Sequence, residues 1–292
     1  MKKLPLLALL AVLSGCGTHT NVAGTAAPVS AESASIMAAG VDRKLDYDWD
    51  RYKNVLAPKA KPHRVPRQGI LPASADLRAT LPPVYDQGHL GACTAFACAK
   101  GMRETLQRQN HERVVPLSAL FEYYETRAHM PLVGWIMKHL DSGGTITEAV
   151  SILATEGAAP EDSFPYDVTK FKEKPPAASY KAAPEFKLHT STQLAGLDDV
   201  KSTLAKGRTV AFGFRVYESF RGIGADGVMP VPGAQDKLLG GHAVLAVGYD
   251  DAKKALIVRN SWSPTWGDKG YFYMPYEVAG NASMATDFWT GE

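Results

Sequence analysis

The stretch Asp86-Gln-Gly-His-Leu-Gly-Ala-Cys-Thr-Ala-Phe-Ala97 decides how the rest of the chain is read. Gly88 and Gly91 allow a tight backbone approach to Cys93. From Thr94 to Arg108 there is no proline, and Phe96, Ala99, Met102 and Leu106 recur near helical spacing. The pattern predicts a helix that starts at the cysteine. The partial positive charge at a helix start favours thiolate over thiol. Cys93 is therefore a candidate nucleophile.

Two later stretches carry the residue types such a nucleophile needs. In Leu239-Gly-Gly-His-Ala-Val-Leu-Ala-Val-Gly-Tyr249 a histidine opens a predicted strand. In Val258-Arg-Asn-Ser-Trp-Ser-Pro-Thr-Trp-Gly-Asp-Lys-Gly-Tyr271 an asparagine ends one, and Trp262 follows two residues on. Alone, such a histidine is ordinarily structural and such an asparagine a cap or turn. In chain order, Cys93, His242 and Asn260 match a cysteine nucleophile with a base and an orienting third group. The other histidines show no metal-ligand spacing, so neither a metal nor another cofactor is expected.

Working outward, Leu117–Thr126 (with Ser118 near its start) and Ile146–Glu156 (closed by Gly157) read as further helices. Thr209–Tyr217, His242–Tyr249, Ala255–Val258 and Gly270–Tyr273 are rich in β-branched and aromatic residues and read as strands. Asp250 and Asp251 mark a turn. The chain is thus α+β, a helical lobe at about 85–185 followed by a β-rich lobe at about 186–280. Apolar residues make up 45% and charged residues 21% of 292, an ordinary globular balance. A net charge of +2 gives no electrostatic case for nucleic acid. Three cysteines are too few for a disulfide scaffold. No apolar run reaches the roughly 18 residues of a membrane-spanning helix.

The three chemistry-bearing stretches resemble the Gln-Gly…Cys…Ala-Phe, His-Ala-Val…Val-Gly-Tyr and Asn-Ser-Trp…Trp-Gly…Gly-Tyr blocks of the papain family of cysteine peptidases. The resemblance covers roughly Leu71 to Tyr276. Asp76-Leu77-Arg78 resembles the start of the family's mature domain, and Ser142-Gly143-Gly144 the edge of its substrate cleft. Tyr85-Asp-Gln-Gly88 and Gly91-Ala-Cys-Thr-Ala95 look most like bacterial members of the xylellain type. The resemblance implies a two-lobe fold, helical left lobe and β-barrel-like right lobe, with the active site in the cleft between them. It implies an endopeptidase working through a thioester acyl-enzyme. Cys93 would attack the carbonyl, His242 would pair with it and protonate the leaving amine, and Asn260 would orient the imidazole. Pairing with an imidazolium would take the thiol to ~3–4. Gln87 would donate to the oxyanion, and Trp262 would shield the His242–Asn260 bond.

The same resemblance implies a substrate cleft lined by Gly143, Gly144, Ile146, Gly240, Gly241, Ala243, Trp262 and Trp266, with Trp266 on the leaving-group side. The main pocket would take the residue one before the scissile one. Its wall, Gly144, Ile146, Gly240 and Ala243, is apolar or bare, so an apolar or aromatic residue is expected there. The implied partner is a protein or peptide substrate, and the chain is expected to be a monomer. The sequence departs from the family at Thr94 (usually Trp), at Leu90 (often a disulfide cysteine) and at Gly241 (often Asp or Asn), which leaves the pH optimum open. Cys98 reads as a small buried hydrophobe. A catalytically silent binding protein and a specialised acyl-transferase would keep the same fold.

Residues 1–16 read as a lipoprotein-type signal peptide. Lys2 and Lys3 precede the apolar run Leu4–Leu13, and Leu13-Ser-Gly-Cys16 resembles a lipobox that would lipidate Cys16. The expectation is an exported, lipid-anchored envelope protein, with the outer membrane or periplasmic face favoured by Gly17. Secretion after ordinary cleavage is the second choice. Residues 17–68 read as a flexible tether and a possible short cleft-covering pro-segment, and 69–292 as the peptidase domain. Between Arg51 and Gln68, like charge and Pro58, Pro62 and Pro66 argue against a packed helix. Asp46–Tyr52 is expected to dock on the domain through Trp49 and Tyr52. Trp135 and Ile136 are expected in the core or the cleft wall.

Overall fold

The helix foreseen after Gly91 forms in three continuous pieces: α-helical Cys93–Ala97, a π stretch at Cys98–Arg103, and α-helical Glu104–Gln109. The computed structural model describes residues 43–65 and 69–292; the signal-peptide, lipobox and tether readings for residues 1–42 lie outside it. Within the π stretch, a β-carbon at Gly101 would stand 3.0 Å from Leu245. That helix therefore lies hard against the sheet.

The strands are β1 (Ser74–Asp76), β2 (Ser191–Gln193), β3 (Val210–Tyr217), β4 (Leu238–Asp250), β5 (Ala255–Arg259), β6 (Tyr271–Pro275) and β7 (Ala285–Gly291). They pair in the order β2-β7-β3-β4-β5-β6, with β1 also on β4, and every pair is antiparallel. Side chains alternate across β4. Ala243, Leu245 and Val247 pack toward Cys98, Met102 and Leu153 of the helical lobe. Val244 and Ala246 pack with Phe212, Phe272, Val200 and Leu204 on the other side. A third cluster, Leu90, Phe96, Leu120, Phe121 and Phe164, fills the helical lobe.

Helix starts follow their caps. Ser118 accepts from the Phe121 amide at 3.0 Å and opens Ala119–Ala128; Thr145 accepts from the Glu148 amide at 3.2 Å and opens Ile146–Thr155. Gly157, at φ 85°, follows the second of these, and any β-carbon there would strike the Ala183 carbonyl.

Three expectations are corrected. His242 does not open its strand: β4 begins at Leu238, because Gly240 and Gly241 pair with Val216 and Arg215 in extended backbone. Trp49–Lys59 is helical, in short α, π and 3-10 turns, despite its charge and Pro58. Tertiary partners explain this: Arg51 pairs with Glu148 at 2.6 Å, Lys53 donates to the Ala282 carbonyl at 2.8 Å, and Pro58 sits early in a 3-10 turn where no amide is needed. Trp135 and Ile136 are not in the core; they stand exposed in a short helical turn, Gly134–Met137.

Candidate active site

Cys93 is the first residue of its helix, so its backbone N–H has no partner one turn back. Cys93 packs in one cluster with Ala243 of β4, which places it beside the strand that carries His242. The His242 Nε2 lies 2.8 Å from Asn260 Oδ1, and the same oxygen accepts from the Ser261 amide at 2.8 Å. Two donors on one oxygen fix the Asn260 amide orientation and make Nε2 the protonated ring nitrogen. Nδ1 then carries the free lone pair, and it is buried with no hydrogen-bond partner among the described residues. Trp262 covers the imidazole, ring centroids 4.8 Å apart and planes 31° apart. Behind it, Trp266 meets Trp262 edge-on at 5.3 Å and stacks on Phe220 at 5.6 Å.

Gln87 is held on both ends of its amide. Its Oε1 accepts from Ser261 Oγ at 2.5 Å and its Nε2 donates to the Leu90 carbonyl at 3.0 Å. Its backbone amide bonds the Ser261 carbonyl at 2.9 Å, tying the Cys93 loop to the strand end after Asn260. One Nε2 hydrogen is left over for the cleft. The four residues Cys93, His242, Asn260 and Gln87 thus come together from three separated stretches.

Across this site runs the chain's own segment. The Tyr47 amide donates to the Gly241 carbonyl and the Asp48 amide to the Gly144 carbonyl, both at 3.0 Å. A β-carbon at Gly143 would stand 1.5 Å from the Asp46 carbonyl, at Gly240 2.7 Å from that of Leu45, and at Gly241 2.4 Å from that of Tyr47. These glycines are bare because another backbone lies on them. Gly144 differs: its bare face meets Thr126. Ionic ties hold the segment at both ends. Arg43 pairs with Asp86, Lys44 with Asp141 at 2.6 Å, and Arg51 with Glu148. Trp49 and Tyr52 are both buried; Arg215 lies over the Trp49 ring at 4.7 Å, and Gln193 donates to the Tyr52 hydroxyl at 3.1 Å.

The Tyr47 ring fills a pocket in the cluster that also holds Cys93, Ile146, Ala211 and Ala243. Its wall includes Gly213 of β3, where a β-carbon would stand 2.2 Å from the ring. At the far end the Tyr47 hydroxyl donates to Asp287 Oδ2 at 3.1 Å.

The family model described as papain family cysteine protease matches residues 71–291. The chain belongs to the papain family of cysteine proteases. A peptidase C1-like protein of Acanthamoeba polyphaga mimivirus is 35% identical over 239 residues, covering 75% of this chain and 74% of the viral protein. Pro-cathepsin H of Medicago truncatula is 27% identical over 252 residues, 80% of this chain and 68% of the plant protein. Xylellain, a cysteine protease from Xylella fastidiosa, superposes with a TM-score of 0.76 at 32% identity, over 86% of this chain and 97% of its own. The proform of the ragweed pollen cysteine protease Amb a 11 shares the fold, with a TM-score of 0.62 at 22% identity, over 84% and 76%.

In this papain-family chain the covered cleft has its own electrostatics. Burial pushes the Cys93 thiol up to about 12, and pushes His242 down to about 4 although the bond to Asn260 works the other way. Both shifts favour neutral thiol and neutral imidazole. The thiolate–imidazolium pair expected from the residue types is therefore not the favoured state while the segment is in place, because no water reaches either charge. Cys98, five residues on, is free and fully buried.

Asp287 was not singled out in the sequence, and neither was Gly213. Asp287 lies near the chain end with no motif around it, and nothing short of the folded sheet joins it to Tyr47. The one local signal is an acid inside a run of strand-forming residues, Ala285 to Gly291. Burial raises its carboxyl to about 6, although bonds from Thr147, Trp289 and Tyr47 pull the other way.

Proposed function

We propose that this chain is a cysteine endopeptidase held latent by its own segment 43–65. Cys93 attacks the peptide carbonyl once His242 Nδ1 has taken its proton; the C–N bond breaks as that proton passes to the leaving amine, and water then hydrolyses the thioester. Asn260 keeps the imidazole in the tautomer that leaves Nδ1 free, as the third member of a triad does. Gln87 Nε2 and the Cys93 amide receive the oxyanion. The observation that carries the reading is the bonding of the Asn260 oxygen to both His242 Nε2 and the Ser261 amide, which fixes the imidazole as such a mechanism needs.

Latency is supported by the order in which the segment crosses the cleft. Arg43 meets Asp86, Asp46 lies against Gly91 and Gly143, and Tyr47 occupies the pocket. By the family resemblance a substrate puts in that pocket the residue one before the residue whose carbonyl is attacked. Here the pocket residue, Tyr47, follows Asp46, which lies against Gly91 of the Cys93 loop. The segment thus runs opposite to a substrate and offers no carbonyl in register.

We extend the proposal to the envelope: export by residues 1–16 and lipid anchoring at Cys16, with the outer membrane or periplasmic face favoured. Among the described residues no helix is long and apolar enough to cross a membrane. The pocket takes an apolar or aromatic residue. The test is hydrolysis of fluorogenic dipeptides under reducing conditions by chain beginning at residue 17, which lacks Cys16, with Tyr47→Ala to free the cleft. Turnover that disappears in Cys93→Ala supports the proposal; turnover that survives it sinks the assignment of the nucleophile.

A further inference from the structure

Five large apolar side chains within residues 132–140 stand in water: Leu132, Val133, Trp135, Ile136 and Leu140 are all exposed, Leu132 at 96% and Trp135 at 70%. Single apolar residues on a surface are ordinary, but a cluster of this kind marks a contact surface. The backbone beneath it is firmly built. The buried Arg127 guanidinium donates to the carbonyls of Lys138 at 3.2 Å, Leu140 at 2.6 Å and Phe171 at 2.6 Å. A β-carbon at Gly134 would stand 2.0 Å from the Ala128 carbonyl, so the turn is seated on the end of the preceding helix. Leu132 holds φ 69°, uncommon for a residue with a β-carbon. Packed backbone thus presents these side chains; they are not shed by a fraying loop.

Two observations say what covers the patch. The first is charge. Residues 129–140 carry Lys138 and no acid, and the run 168–174, joined to them through Arg127, carries Lys170, Lys172 and Lys174 against Glu173 alone. Apolar side chains and a tryptophan beside lysines suit the boundary between acyl chains and anionic headgroups. The second is where the chain leads. Lys44 Nζ donates to the Asp141 carbonyl and to its carboxylate, both at 2.6 Å, so the covering segment starts next to Leu140. Twenty-six residues lie between Cys16 and Arg43, a reach of at most about 90 Å. An acyl anchor at Cys16 therefore brings the domain to the bilayer by the edge that carries the patch. We infer that residues 132–140, with the neighbouring lysines, form a membrane-interface surface that lays this edge of the helical lobe on an anionic bilayer. The inference rests on the envelope reading for its bilayer and is independent of the peptidase chemistry.

The test uses the chain from residue 17, which carries no lipid and keeps every described residue. It is sedimented with vesicles of phosphatidylcholine alone or of phosphatidylcholine with phosphatidylglycerol. The expected result is binding to the anionic vesicles. Trp135→Ser/Ile136→Ser lowers that binding at least about tenfold, and Lys172→Gln/Lys174→Gln at least about fivefold. Brominated lipid locates the contact. It quenches the wild-type tryptophan fluorescence, whereas Trp135→Phe, which keeps an apolar ring, still binds and loses most of the quenching. No binding, binding unchanged by both double variants, or quenching that survives Trp135→Phe overturns the inference. So does a wild-type dimer that Trp135→Ser/Ile136→Ser turns into a monomer, since a second copy then covers the patch. Lipidation is scored separately, by the mass of the exported full-length chain. A lipidated Cys16 without vesicle binding by the chain from residue 17 sinks the surface alone, and vesicle binding without lipidation sinks the anchor alone.

Discussion

The Tyr47 hydroxyl bonds the Asp287 carboxylate at 3.1 Å across 240 residues of sequence, joining the covering segment to the last strand. It is one end of a buried aromatic side chain that is 3% exposed. Truncating a buried aromatic ring costs roughly 3–5 kcal/mol. Tyr47→Ala is therefore expected to raise the alkylation rate of Cys93 by iodoacetamide at least about tenfold, the loss falling on the docking of the segment. Peptide mapping that separates Cys93 from Cys98 checks it. An unchanged rate would mean that the segment is held mainly by its ionic ties, Arg43–Asp86, Lys44–Asp141 and Arg51–Glu148.

The pH dependence of the same reaction has a defined sign. Burial holds the Cys93 thiol up at about 12, so the thiolate is scarce in the covered chain at neutral and mildly alkaline pH. In the wild type the alkylation rate should keep climbing past pH 9. In Tyr47→Ala water reaches the pair, and the midpoint should fall by two units or more, on the order of the shift that a histidine neighbour and a helix start produce together. The measurement is rate against pH for both chains.

Asp287 gives a stability prediction. Its carboxyl sits at about 6 in the folded chain against 3.8 for the ordinary group. A raised carboxyl contributes stability that is fully present below the ordinary value and is lost as pH rises through the folded value. The loss between about pH 4 and pH 7 is on the order of 3 kcal/mol. Asp287→Asn does not titrate. Its Tm relative to wild type should therefore rise by roughly 5 °C or more over that interval, whatever its offset at pH 4. Thermal melts at the two pH values decide the sign.

Gln87 is held by Ser261 and Leu90 with one amide hydrogen left for the cleft. Gln87→Ala should lower kcat by about 10²–10³ while moving KM little, as removal of one oxyanion donor does. Labelling of Cys93 by iodoacetamide, which forms no oxyanion in its transition state, should change far less. An equal fall in both would make Gln87 a structural tie between the Cys93 loop and Ser261.

Local runs made the chemistry legible. Gly88, Gly91 and Cys93 stand together because a helix start must approach the cleft, and His242 lies on a strand and Asn260 just past the end of its neighbour, both of recognisable composition. What stayed hidden depends on partners far away in sequence. The Trp49–Lys59 turns looked unfavourable because Glu148 and the Ala282 carbonyl, which satisfy their charges, cannot be seen locally. Gly240 and Gly241 looked like a break before a strand, yet they are strand residues stripped of side chains where Leu45 and Tyr47 lie on them. Gly213 is bare for the same reason, facing the Tyr47 ring. Asp287 would be a misplaced acid in any reading of β7 alone; only Thr147, Trp289 and Tyr47 together give it a place.

The central claim is that an operative nucleophile lies beneath a removable segment. The most direct measurement is hydrolysis of a fluorogenic dipeptide, with tyrosine ahead of the basic residue at the cut, by full-length Tyr47→Ala beside wild type and the Cys93→Ala/Tyr47→Ala double variant. The account expects little turnover in wild type, clear turnover in Tyr47→Ala, and none in the double variant. A folded Tyr47→Ala chain whose Cys93 alkylates readily but hydrolyses nothing would contradict it, and would point instead to a papain-fold binding protein.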